Sequence, residues 1–162
     1  MAKPKAVSAA NPKKQLDLFL AKYNPPIASL ARRALAKLRK RLNGSLEMVY
    51  DNYNALVIGF VPNERPSDAI FSIVLYPEHV SLCFLQGAGI PDPHGRLLGS
   101  GNVARHVRLE SAATLDDPEI VSLMNAGLHR AKVPLDPKQP RRLIIKSVSA
   151  KQRPRRPSKD VD

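Results

Sequence analysis

Residues 46–85 read LEMVYDNYNALVIGFVPNERPSDAIFSIVLYPEHVSLCFL, and the fold class turns on how they are divided. Leu46, Met48 and Tyr50 alternate with Glu47 and Val49, the period of a strand with one buried face. Residues 51–54, DNYN, are turn formers whose short polar side chains can bond the nearby backbone. Residues 55–61 are almost wholly apolar and rich in β-branched or aromatic types, so they read as an interior strand. Residues 62–68 carry two prolines, which cannot donate to a ladder, and make a loop. Residues 69–76 form the next strand, and residues 77–79, PEH, reverse the chain into residues 80–85. Apolar runs joined by such short connections become antiparallel neighbours. The prediction is a four-strand β-meander.

On its N-terminal side lie two helical patterns. Asn11-Pro12 caps and starts a short helix with Leu16, Phe19, Leu20 and Tyr23 on one face. A second helix runs from about Pro25 to Leu42, with Ile27, Leu30, Ala31, Ala34, Leu35, Leu38 and Leu42 at a period near 3.6. Asn43-Gly44 ends it, glycine suiting the left-handed position past the last turn. Its opposite side carries Arg33, Lys37 and Lys40, flanked by Arg32, Arg39 and Arg41. Such a face suits contact with phosphates; it equally suits a solvated helix whose last-turn cations complement the dipole.

On the C-terminal side, residues 86–102 hold five glycines and two prolines. Gly87-Ala88-Gly89 and Gly99-Ser100-Gly101 can crowd backbone N–H groups around an anion, or simply let a long loop lie flat on the sheet. Neither continues as a nucleotide-binding fingerprint. Asp92 and His94 share this loop without a second histidine at metal-ligand spacing. Residues 104–110 form another strand, in which Arg105 shares a face with Val107 and Leu109 and therefore wants an anionic partner, either a carboxylate such as Asp51 or Asp68 or a ligand. Asp116-Asp117-Pro118 opens a third helix with Ile120, Leu123, Met124, Gly127, Leu128 and Ala131 on its buried side, while His129 is solvated. Residues 142–148 make a last strand. Residues 149–157, SAKQRPRRP, then leave the fold as an extended basic tail with no apolar periodicity to bury, and cutting after Ala150 is expected to leave stability unchanged.

The architecture so read is α+β: an antiparallel meander sheet with helices packed on one face, forming a single domain over residues 11–148. A flexible basic arm, residues 1–10, precedes it, and the tail of residues 149–162 follows. At 162 residues the chain can bury a real core, and its 43% hydrophobic content is that of a globular protein. No apolar run is long enough to span a bilayer, and the basic N-terminus lacks the apolar centre of a secretory signal, so a cytoplasmic protein is expected. Cys83, the sole cysteine, reads as a buried, inert thiol. Charge is uneven. The first 45 residues carry eleven Lys/Arg against Asp17 alone, and the last 22 carry eight against two acids, while the middle is mildly acidic. Basic ends of this kind suit an acidic partner or nucleic acid.

The helical N-terminus, the Tyr-bearing first strand, the meander, GSGN before an Arg-bearing strand, and LDDPEI opening a helix together resemble the YdhG-like domains of unknown function. These bacterial proteins have an α+β fold similar to frataxin-like proteins. The resemblance covers residues 12–148 and is strongest in VYDNYNALVIGF, RPSDAIFSI, FLQGAG and GSGN. It implies that fold. A frataxin-like member would also be an iron chaperone, a role resting on a ridge of acidic oxygen ligands, whereas here Asp17 stands alone among the N-terminal cations.

No segment is a catalytic motif, so no catalytic residue, cofactor or metal is expected. The leading expectation is a non-catalytic binding module for an anionic partner or ligand. Its nucleic-acid contacts would be Arg33, Lys37, Lys40, Arg153, Arg155 and Arg156. The alternative is a small-molecule site or enzyme at the mouth of the sheet, built from Tyr50, Asp51, Tyr53, Arg65 and Arg105 with Gly87, Gly89, Gly99 and Gly101.

Overall fold

The computed structural model describes residues 11–157; the expected arm, residues 1–10, and residues 158–162 lie outside the described residues. Three helices and a six-stranded sheet make an α+β fold, with the helices on one sheet face. The helices are α1 (Pro12–Ala21), α2 (Pro25–Arg41) and α3 (Pro118–Arg130). The strands are β1 (Leu46–Asp51), β2 (Leu56–Val61), β3 (Phe71–Tyr76), β4 (His79–Phe84), β5 (Arg105–Leu109) and β6 (Leu143–Val148), in the spatial order β5-β4-β3-β2-β1-β6. The meander continues antiparallel through β5, while β6 lies parallel to β1. Chain leaving β5 at one edge must therefore cross the sheet, by way of α3, to reach the other edge.

Local chemistry starts and stops these elements. The Asn11 side chain accepts from the Lys13 and Lys14 amides, and proline occupies the first turn of each helix. Asp117 caps α3 by accepting from the Glu119 amide. Gly44 takes φ +93° after α2, and a Cβ there would lie 2.3 Å from the Asp136 carbonyl oxygen. The core joins Leu16, Phe19, Leu20, Leu35 and Leu38 of the helical layer to Ile58, Phe60, Phe71, Ile73, Leu82 and Phe84 of the sheet.

One phase expected from the sequence is reversed. On β1 the helix-facing positions are Glu47, Val49 and Asp51, because Val49 belongs to the core and Glu47 meets α2. Leu46 and Met48 lie on the opposite face, yet are buried as well. A carboxylate can face the helices here because Arg39 of α2 grips Glu47 with two hydrogen bonds of 2.8 and 2.9 Å, and Arg141 adds a third of 3.2 Å. Much of the α2 charge is spent in this way. Lys37 and Arg41 both hold Asp116, and Arg32 holds Asp17. Of the cations expected to face phosphates, only Arg33 and Lys40 are exposed without a partner among the described residues.

Two further expectations change. Cys83 sits half-buried on the face without helices; burial pushes its thiol pKa up, a hydrogen bond to Ser72 opposing. The segment after β6 does not leave the fold: residues 149–157 turn back along the β1–β2 turn, and Arg155 becomes one of the few buried charged residues. No helix among the described residues is long and apolar enough to cross a membrane.

Candidate functional site

The expected sheet-mouth cluster divides into two groups at opposite corners of the sheet. Asp51 pairs with Leu56, whereas Arg105 lies in the row of Phe60, Phe71 and Phe84, four residues further along and four strands across. Standard strand dimensions put the two backbones roughly 23 Å apart.

The first group, Tyr50, Asp51 and Tyr53, is met by the tail. Asp51, fully buried, accepts from Lys22 Nζ at 2.8 Å on one oxygen and from Arg155 Nη2 at 2.8 Å on the other. Arg155 also donates to the Asn52 carbonyl at 2.5 Å and the Tyr53 carbonyl at 3.3 Å, and lies over the Tyr23 ring. Burial alone would raise the Asp51 pKa; hydrogen bonds from Lys22 and Arg155 outweigh it and hold the carboxyl below its usual range. Tyr23, pushed up to about 12 by burial against the opposing charge of Arg155, stays a neutral phenol. It donates to the Leu75 carbonyl and accepts from the Leu56 amide. Arg153 stacks on Tyr53, and Arg156 donates to the Lys22 and Ala21 carbonyls at the end of α1. Tyr50 points its hydroxyl at the Met48 sulfur. The three tail arginines expected to reach nucleic acid are therefore all engaged with the domain.

The second group gathers at the far corner. Gly87 backs so closely onto β4 and β5 that a Cβ would lie 2.8 Å from that of Arg105 and 2.9 Å from that of Phe84. Gly99 adopts φ +117° beside the Arg105 side chain. Arg105 donates to the Gly101 carbonyl at 2.6 Å and the Ala104 carbonyl at 2.8 Å. Its partners are thus loop carbonyls, not the carboxylate expected from its strand phase: at the first position of β5 the guanidinium bends back to its own loop. Arg65 is exposed and 3.6 Å from Asp68.

Beside this corner the structure opens a cavity of about 290 Å³ between the β2–β3 loop, the turn after β4 and the C-terminal end of α3. Ile70, Phe84, Ile90 and Gly127 give its apolar lining, and Ser67, Asp68, Gln86, Arg130 and Lys132 its polar one. Gly127 leaves room for Phe71, whose ring carbons would be 3.1 Å from a Cβ there. Gly89 does the same for Arg130, whose Nη2 would lie 2.5 Å from a Cβ. Among the described residues no carboxylate or carbonyl holds the Arg130 guanidinium. Asp68, largely buried, meets Asn63 at 3.0 Å and Arg65 at 3.6 Å through the same oxygen, Oδ2.

No family model, curated protein or solved structure matches this chain.

Sequence reasoning found Gly89 but missed Arg130, Lys132 and Gln86. The signal that was there is the pair Gly127 and Arg130, one helical turn apart and so on the same side of α3. Arg96 was missed too. It ties the glycine-rich loop to the start of α3 through Asp117 at 2.9 Å and Glu119 at 2.8 Å, beside His94. Asp92 is occupied in receiving the Arg96 and Leu97 amides. No three His, Cys, Asp or Glu residues cluster as metal ligands among the described residues.

Proposed function

We propose that this protein is a non-catalytic binding module of the YdhG-like kind, and that it takes a small molecule bearing an anionic group in the cavity between Ile70, Phe84 and Arg130. The observation that carries this reading is the Arg130 guanidinium, laid along Gly89 at the cavity and held by no carboxylate among the described residues. A guanidinium is the side chain best matched to a carboxylate or phosphate. Two of the segments on which the resemblance is strongest, RPSDAIFSI and FLQGAG, supply residues of this cavity, which supports the same reading. A cytoplasmic, bacterial protein belongs to the proposal.

Calorimetric titration of the full chain with small carboxylates and inorganic phosphate tests it. Binding is expected, and Arg130→Gln should abolish it without moving the melting temperature. No binding at millimolar ligand, or unchanged binding by that variant, would overturn the reading.

A second reading, an acidic partner or nucleic acid on the basic ends, keeps support from exposed Arg33 and Lys40 and from the net charge of +12. Its binding would be electrostatic and steeply salt-dependent. Fluorescence anisotropy at low salt should show it, and Arg33→Gln with Lys40→Gln should weaken it for every sequence alike. An iron chaperone is not proposed, since Asp17, the lone acid of the N-terminal helical region, is paired with Arg32.

A further inference from the structure

The cavity is not simply cationic. Asp68 lines it together with Arg130 and Lys132, and its second oxygen takes part in neither the Asn63 nor the Arg65 contact. The C-terminal end of α3 lines it as well, where the helix dipole places a partial negative charge. A ligand that is only an anion would gain Arg130 and then meet two negative groups. A ligand that is only a cation would meet Arg130 and Lys132. Opposite charges carried on one small molecule satisfy both sides.

Resting on the reading above, we infer that the ligand class is a free α-amino acid with an apolar side chain. Its carboxylate would sit on Arg130, its ammonium on Asp68, and its side chain over Ile70, Phe84 and Ile90. Size points to a small ligand: at about 290 Å³ the cavity falls just below the range of drug-sized sites, which run from about 300 to 1,000 Å³. A nucleotide does not fit that description. Ile70, Phe84 and Ile90 call for a hydrocarbon side chain against them, because a polar group laid on those three would be desolvated without a partner.

The full-length chain is titrated calorimetrically with L-leucine, with 4-methylpentanoate (leucine without its amine) and with isopentylamine (leucine without its carboxylate). Leucine is expected to bind, and each half-molecule at least roughly tenfold more weakly, as the loss of one charge-assisted pair requires. Arg130→Gln should remove leucine and 4-methylpentanoate binding together, whereas Asp68→Asn should reduce leucine to the level of 4-methylpentanoate. Because the half-molecules are tested on the unmodified protein, the result does not depend on whether Asp68→Asn folds. If 4-methylpentanoate binds as tightly as leucine and is lost in Arg130→Gln, the amino-acid inference is overturned while the anion site stands. If none of the three binds, the amino-acid inference is overturned; if inorganic phosphate does not bind either, the anion site falls with it.

Discussion

Replacing Arg155 with alanine tests whether the tail belongs to the fold. The residue is 5% exposed, and its guanidinium meets Asp51, Asn52 and Tyr53. Removing one partner of a buried ion pair usually costs about 3–5 kcal/mol. Two features lower that figure. Asp51 keeps Lys22 at 2.8 Å, and Lys22 is itself partly exposed, so the carboxylate is not left alone. Arg155 Nε is also buried without a partner among the described residues, a native cost of about 1–3 kcal/mol that the mutation relieves. A net loss of about 2 kcal/mol is expected, which for a chain of this size lowers the melting temperature by roughly 4–8 °C. Truncation after Ala150 should lose at least as much, since it also removes the Gln152 bond to the Asp51 carbonyl and the Arg156 bonds to α1. Calorimetric melts of wild type, Arg155→Ala, Asp51→Asn and the double variant give the coupling directly, expected at about 1 kcal/mol or more. If Arg155→Ala melts within a degree of wild type and shows no coupling, the tail is not docked in solution.

Glu47→Gln should destabilise by about 2–3 kcal/mol, below the full cost of a broken buried pair because both of its arginines can reach water; chemical denaturation reads it. Gly44→Ala combines a left-handed φ with a clash against the Asp136 backbone and should cost about 2–3 kcal/mol, measurable in the same assay; an equally stable variant would mean that the loop carrying Asp136 does not pack there. Acid should destabilise the protein from about pH 4 downward. Asp51, Asp116 and Asp117 are held below their unfolded values by their ion pairs, so the stability they confer is complete above that pH and is lost as pH falls through the folded values. Melting curves of wild type and Asp51→Asn from pH 6 to pH 2 should converge at the acid end, and parallel curves would count against the assignment.

The elements themselves were legible because each depends on local signals. Asn11-Pro12, Asn43-Gly44 and Asp117-Pro118 bracket their helices, and the apolar runs of β2, β3 and β4 lie within a residue or two of where period and proline put them. The face of β1 was not legible. Alternation alone assigns Leu46, Met48 and Tyr50 to the core, and it takes Arg39 and Arg141 for Glu47, and Lys22 and Arg155 for Asp51, to let the two acids take that side. The docking of residues 149–157 was hidden for the same reason: the segment is anchored by a guanidinium and backbone carbonyls, not by hydrophobic spacing, so periodicity cannot register it. Arg105 was correctly placed on its strand but wrongly partnered, since acceptors from the main chain leave no trace in side-chain identity. The cavity is assembled from residues 67–70, 84–90 and 127–132, which only the tertiary fold brings to one corner.

The parallel pairing of β6 with β1 has a consequence for the order in which a nascent chain can be completed. Leu143 pairs with Glu47, so this ladder closes only after nearly the whole meander, the glycine-rich loop and α3 have been made. The β1–β4 hairpins need only neighbouring chain and can form as they emerge from the ribosome. Throughout that interval β1 stands as a bare outer strand, with unpaired main-chain groups and the apolar Leu46 and Met48 beside them, the sort of surface that recruits other chains. Arrival of residues 143–157 seals it, β6 covering the strand and Arg155 joining Lys22 on its last carboxylate. A ribosome stalled short of that point would therefore display a sticky folding intermediate, and Lys146 on β6 would serve in the finished protein as the charged guard of the new outer strand.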